Sequence, residues 1–185
     1  MNARRSTRAM WLAGALAIAS LVHLATIYAI PRIVMARTLS RLGSLDEMHV
    51  GKRPDAGTRA IVRPSPDMLY AACPYDLARG ALRVTAPVTH SSYWSIAGYD
   101  SATNNYFVED DQAITSDSVE VFILRQGMPW PAADHALTRV ILLAPADTGV
   151  VLIRTAIDDP AHFPRLAKLL HEARCGTVAP AAGLR

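Results

Sequence analysis

Hydrophobic and polar positions follow three different rhythms along this chain. Residues 10–30, MWLAGALAIASLVHLATIYAI, run for 21 positions without a formal charge. At 1.5 Å per residue such a helix matches a hydrocarbon core of about 30 Å. Trp11 and Tyr28 sit near its two ends, as interfacial aromatics do, and Pro31 marks the expected stop. Over residues 32–48 the spacing changes: Ile33, Val34, Leu39, Leu42, Leu45 and Met48 recur by threes and fours, with Arg37 and Arg41 between them. This predicts an amphipathic juxtamembrane helix, lying on lipid headgroups or on the domain that follows. The turn formers of GKRPDAGT, residues 51–58, then read as a linker.

The third rhythm is short β-branched and aromatic runs broken by Pro, Gly, Asp and Asn. It predicts eight strands, over residues 59–63, 69–75, 81–85, 93–99, 106–109, 119–124, 139–143 and 150–157. Near the end the period returns to that of a helix. Asp158 and Asp159 precede Pro160 as a cap and first turn, Phe163, Leu166, Leu169, Leu170 and Ala173 form one apolar stripe, and Gly176 reads as the stop. The fold class expected is mainly β: an antiparallel sandwich-like domain with one C-terminal helix, preceded by a single transmembrane helix. The organisation expected is a short basic cytoplasmic tail (1–9), a transmembrane helix (10–30), an amphipathic helix and linker (31–57), a β-rich domain (58–178) and a flexible tail (179–185).

Length and charge sharpen this picture. Of 185 residues, about 155 remain outside the apolar span, enough for one domain with its own core. With 51% hydrophobic and 19% charged residues and a mean hydropathy of +0.16, neither a disordered chain nor a multi-span membrane protein fits. The net charge of +3 invites a nucleic-acid reading, but its location removes it. Arg4, Arg5 and Arg8 precede the apolar span, and Arg32, Arg37, Arg41, Lys52 and Arg53 follow it, whereas residues 54–185 carry 11 bases against 14 acids. The basic residues flank the segment that would meet lipid headgroups, and no nucleic acid is expected as a partner.

A cleaved signal peptide competes with a retained anchor. The anchor is preferred because the apolar run exceeds the usual 7 to 15 residues and no small-x-small cleavage site follows it. His23 within the span is read as a tolerated polar residue of a lone helix. Flanking bases do not decide orientation. Two other facts do: the N-terminal tail is too short to be a domain, and Cys73 and Cys175, the only two cysteines, lie near the two ends of the presumed domain, with one disulfide as their natural pairing in an oxidising compartment. Two free thiols in a reducing compartment is the alternative. The preferred localisation is the bacterial inner membrane, single-pass, with the N-terminus cytoplasmic and the domain periplasmic.

Motifs for catalysis, metal or nucleotide fail on spacing. Gly51-Lys52 ends like a phosphate loop, but Asp46 stands where the earlier Gly is needed and Arg53 replaces Ser or Thr. The six histidines show no HExxH, and His90-Ser91-Ser92 lacks the surroundings of a nucleophile motif. Glu109-Asp110-Asp111, with Asp100, Asn104 and Asn105, is rich in oxygen but lacks the alternating spacing of a calcium loop, and turn formation accounts for it. No cofactor, metal or catalytic residue is assigned on this basis.

Two blocks carry a likeness. SPDMLYAACPYDL, residues 65–77, and YWSIAGYDSATNNYFVEDD, residues 93–111, resemble the bacterial family called domain of unknown function 1254, with its PDxLY strand, short xxDL turn and aromatic strand followed by a YD turn. The resemblance implies a β-rich sandwich-like domain in a bacterial envelope setting, and no established reaction. It also implies that longer relatives carry a second β-rich domain, so that a protein bearing such a companion domain is a candidate partner beside the lipid bilayer. The positions carried over as ligand-binding candidates are Asp67, Tyr70, Asp76, Tyr99, Asp100 and Asn104; as turn caps and core tyrosines they would instead fix the fold. The function expected is a membrane-anchored envelope protein whose outward-facing domain binds a partner protein or envelope component. The rival is a small-ligand binder or enzyme with a site between strands near Tyr70, Tyr99 and Asp100.

Overall fold

The computed structural model describes residues 2–55, 57–58, 64–129 and 138–178. The strand expected over 59–63, the end of the loop beyond residue 129 and the tail 179–185 lie outside these. The chain begins with one helix, α1 (Asn2–Leu42), which runs straight through Pro31. Proline removes one main-chain donor and crowds the preceding turn, yet the helix continues on both sides. The Arg32 guanidinium lies over the Tyr28 ring at 3.6 Å and donates to the Tyr28 carbonyl at 2.8 Å, so this turn is held from the side. The expected break at Pro31 is therefore corrected: the apolar span and the first half of the juxtamembrane segment form one rod. The rod ends at Gly43 (φ 90°), whose N–H donates to the Leu39 carbonyl at 3.3 Å. Its apolar part is long enough to cross a membrane and is wholly exposed. Further along, Met35 is only 5% exposed, where α1 meets the sheet.

Among the described residues nine strands follow: β1 (His49–Val50), β2 (Met68–Asp76), β3 (Ala81–Pro87), β4 (Trp94–Asp100), β5 (Asn105–Asp110), β6 (Ser118–Leu124), β7 (Thr138–Leu143), β8 (Thr148–Ala156) and β9 (Arg174–Val178). They form two sheets, ordered β1-β2-β8-β4-β5 and β7-β6-β3-β9. Every pair is antiparallel except β6–β7, which is parallel and so departs from the fully antiparallel expectation. Period-two burial builds the core between the sheets: Leu69, Ala71, Cys73 and Tyr75 of β2 face inward, opposite Leu82, Val84 and Ala86 of β3. The sheet takes in His49–Val50, upstream of the boundary expected at residue 58.

Asp46 makes that early entry possible. It adopts φ 62°, a conformation Asp tolerates better than most residues. Its N–H donates to the Pro74 carbonyl at 2.7 Å, and its carboxylate accepts from the Asp76 N–H at 3.2 Å and from the Arg79 guanidinium at 3.4 Å. The end of the rod is thereby pinned to the end of β2.

The C-terminal helix, α2 (Phe163–Glu172), is shorter than its stop signal implied. It follows a turn of 3-10 helix (Pro160–His162) capped by Asp159, whose carboxylate accepts from the Ala161 N–H at 2.8 Å. Leu166 and Leu170 are buried, and α2 touches both β2 and β3, so its apolar stripe closes one side of the sandwich. Gly176 is not a helix stop. It lies inside β9, where Cys175 stands opposite Val84 of β3. The Cys73–Cys175 disulfide thus joins strands of opposite sheets, rather than a helix end to a strand.

Candidate functional site

The six carried-over residues separate into two groups. Asp67 and Tyr70 lie at the start of β2, where the Tyr70 hydroxyl accepts from the Ser65 N–H at 3.0 Å and the Asp67 carbonyl accepts from the Ile157 N–H at 2.8 Å. Asp76, Tyr99, Asp100 and Asn104 lie at the opposite end, because Asp76 pairs with Thr148 and Asp100 with Gly149 on β8. Their carboxylates serve turns. Asp76 accepts from the Ala78 N–H at 3.0 Å. Asp100 accepts from the N–H groups of Ala102 at 2.8 Å and Asn104 at 2.9 Å, and from the Asn104 side-chain amide at 2.9 Å, which fixes a hairpin turn with Thr103 at φ 65°.

Beside this end lies a buried tyrosine pair. The hydroxyls of Tyr75 and Tyr106 are 3.0 Å apart, and Tyr75 is fully buried. Burial pushes the Tyr75 phenol up to about 12, with the Asp100 carboxylate adding to the rise, and raises Tyr106 as well. The native state therefore keeps protons that the unfolded chain gives up near pH 10. The stability this represents is complete below pH 10 and falls as pH rises towards 12, by about 1.4 kcal/mol per pH unit for one tyrosine. Urea midpoints recorded between pH 9 and 11.5 should drop steeply in the upper half of the range. The same series on Tyr75→Phe should slope less; an unchanged slope would show that Tyr75 does not titrate in this window.

The concave site lies elsewhere. After β1 the chain stays on the edge of β2: Gly51 donates its N–H to the Tyr70 carbonyl at 2.8 Å, and a side chain here would meet that carbonyl at 3.3 Å. Residues 51–53 then pass α2, enclosing a cavity of about 400 Å³. Val50, Leu69, Phe163, Ala167 and Leu170 form its apolar wall, with Leu69 and Leu170 almost fully buried. Lys52, Arg53 and His171 line it as well and are solvent-exposed, with the positive charges of Lys52 and Arg53 at the mouth. Arg53 is positioned twice: its Nε donates to the Pro66 carbonyl at 3.3 Å, and its guanidinium stands over the Phe163 ring, 5.9 Å from the centroid. Among the described residues no acid lines the cavity. Its size falls in the range of small-molecule sites, roughly 300 to 1,000 Å³. No group of three or more metal-ligating side chains occurs among the described residues.

Sequence reasoning passed over this site. Gly51-Lys52 reads as a linker and as a failed phosphate loop, His171 as one of six scattered histidines, and the walls at 50–53 and 163–171 lie more than 100 residues apart. The one available signal was the row of bases at 52 and 53 facing an amphipathic helix that carries Arg165, Lys168 and His171.

No curated protein matches the chain. Among solved structures, the VPA0106 protein of Vibrio parahaemolyticus shares the fold at a TM-score of 0.61 with 9% identity, over 86% of this chain and 39% of that one. An uncharacterised protein from Burkholderia cenocepacia aligns at a TM-score of 0.47 and 14% identity, over 84% of this chain and 41% of its own. The chain thus spans about two fifths of the length of each of these proteins. The family model described as protein of unknown function, DUF1254, matches residues 46–177, beginning at the aspartate that pins the rod to the sheet, and the chain belongs to that family.

Proposed function

We propose that the chain is a single-pass inner-membrane protein of the bacterial envelope whose β domain faces the periplasm and works by binding, with the cavity between residues 50–53 and α2 as its binding site. The observation that carries this reading is the form of α1: apolar and exposed over its first part, then packed against β2 and β8. One rod thus holds the domain close to the bilayer. The Cys73–Cys175 disulfide supports an oxidising compartment. Binding is preferred to chemistry near Tyr70, Tyr99 and Asp100 because the Asp76 and Asp100 carboxylates are committed to main-chain N–H groups. A protein carrying a companion β-rich domain is a further partner on this proposal.

Single cysteines at Ser6 and Lys168 test the topology. In spheroplasts an impermeant maleimide should label Lys168→Cys at once and Ser6→Cys only after permeabilisation, on a chain whose size still includes residues 1–30. The reverse pattern, or a shortened chain, overturns the anchored periplasmic reading. Native mass spectrometry of the chain extracted in polymer discs should show a bound component that Ala167→Trp, which fills the cavity, removes. A bound mass that survives Ala167→Trp would place binding elsewhere.

A further inference from the structure

We infer that the cavity takes a small amphiphilic monocarboxylate, inserted tail first, with its carboxylate held at the mouth by Lys52 and Arg53. The proposal deepens the binding reading above and rests on it, but it concerns the ligand's chemistry and holds whichever side of the membrane carries the domain.

Three observations converge. The interior is made of side chains with nothing polar to offer: Leu69 and Leu170 at the bottom, Phe163 and Ala167 along α2, and Val50 on the strand side. Among the described residues the three ionisable groups that line the cavity are bases, and all three are exposed. A ligand with a polar tail would bury unpaired groups among them, and a cationic head would meet like charge. An apolar tail with one negative head satisfies both regions at once. The third observation is the difference in how the two cations are held. Arg53 is fixed over Phe163 and on the Pro66 carbonyl, so one guanidinium edge is pre-set at the mouth. Among the described residues Lys52 makes no hydrogen bond or ion pair, and its flexible side chain can close on a carboxylate. Asp55, the nearest acid in the chain, is already engaged, its carboxylate accepting from the Gly57 N–H at 2.8 Å and the Thr58 hydroxyl at 2.9 Å.

The volume sets the length of the ligand. A cavity of about 400 Å³ suits a chain of medium length rather than a whole phospholipid. Octanoate is the probe we would use, titrated calorimetrically into the full chain in phosphatidylcholine nanodiscs, with empty discs as the blank. Octan-1-ol tests the tail without charge, acetate the head without tail, octylammonium the opposite charge and octyl phosphate a different anionic head. Octanoate should bind saturably at one site, with octan-1-ol and acetate at least tenfold weaker and octylammonium silent. Lys52→Glu, an exposed change that leaves the core untouched, should weaken octanoate about tenfold and allow octylammonium to bind. Ala167→Trp should abolish the heat while the unfolding midpoint stays in place. Equal binding of octan-1-ol, or tighter binding of octyl phosphate, overturns the assignment of a carboxylate head. No octanoate heat alongside a native-mass adduct that Ala167→Trp removes sinks the ligand class and leaves the binding reading standing. Absence of both sinks the two together.

Discussion

Gly149→Ala is expected to cost the domain about 3 kcal/mol, near the upper end for overpacked cores. Gly149 opens the buried part of β8, and an added Cβ would fall inside the van der Waals envelope of the Tyr99 carbonyl oxygen and 2.5 Å from the Tyr75 hydroxyl. The first of these is main chain, held in the ladder between Tyr99 and Val150, so it cannot swing aside as a flexible side chain would. The second belongs to a ring already hydrogen-bonded to Tyr106 and buried on every side. Both β4 and the tyrosine pair must therefore shift together. For a domain of this size the loss corresponds to a fall in Tm of about 6 to 12 °C. Gly14→Ala is the matched control, since nothing lies within 4 Å of a Cβ there. Thermal unfolding of the two variants side by side decides the matter, and a Gly149→Ala domain as stable as the control would mean that the sheet relaxes around the methyl group.

Removing the disulfide should cost more. Cys73 and Cys175 are 102 residues apart, and their Cα atoms are separated by 6.3 Å across the two sheets. Freeing a loop of about 100 residues gives the unfolded chain roughly 4.7 kcal/mol of entropy on the chain model. Typical domains have only about 5 to 15 kcal/mol in total. Cys73→Ala/Cys175→Ala should therefore lower the urea midpoint by a large fraction, with the slope of the transition altered as the unfolded state expands. Because Cys73 is fully buried, the native chain should resist reductant until it opens. A double variant within about 1 kcal/mol of the parent would show that the apolar core packed between the sheets holds them together unaided.

The elements legible from sequence are the longer runs rich in β-branched and aromatic residues, some with alternating burial and others, such as β4 and β6, buried nearly throughout. β2, expected over 69–75, spans Met68–Asp76, and β8, expected over 150–157, spans Thr148–Ala156, because both carry a regular inward and outward pattern. β9 was missed. It is five residues long, includes a glycine and follows a helix by one residue, so only its pairing with β3 reveals it. Pro31 misled for a different reason: a proline signal is local, whereas α1 is long enough for one lost donor to matter little. The candidate site was the least legible part. Its apolar wall reads as ordinary core, its bases read as a linker, and the fold alone brings residues 50–53 against residues 163–171.

The order of strands carries a consequence for how the chain is made. β8 lies between β2 and β4, and β9 lies beside β3, so strands late in the described sequence complete both sheets. Until residue 156 has emerged, β2 has, among the described residues, only the two of β1 to pair with, and β4 and β5 form a hairpin by themselves. Such pairings over long sequence separations are slow to form, because the intervening chain must be closed before any contact rewards it. The nascent domain therefore stays open until β8 and β9 are available, and the two sheets lock only then.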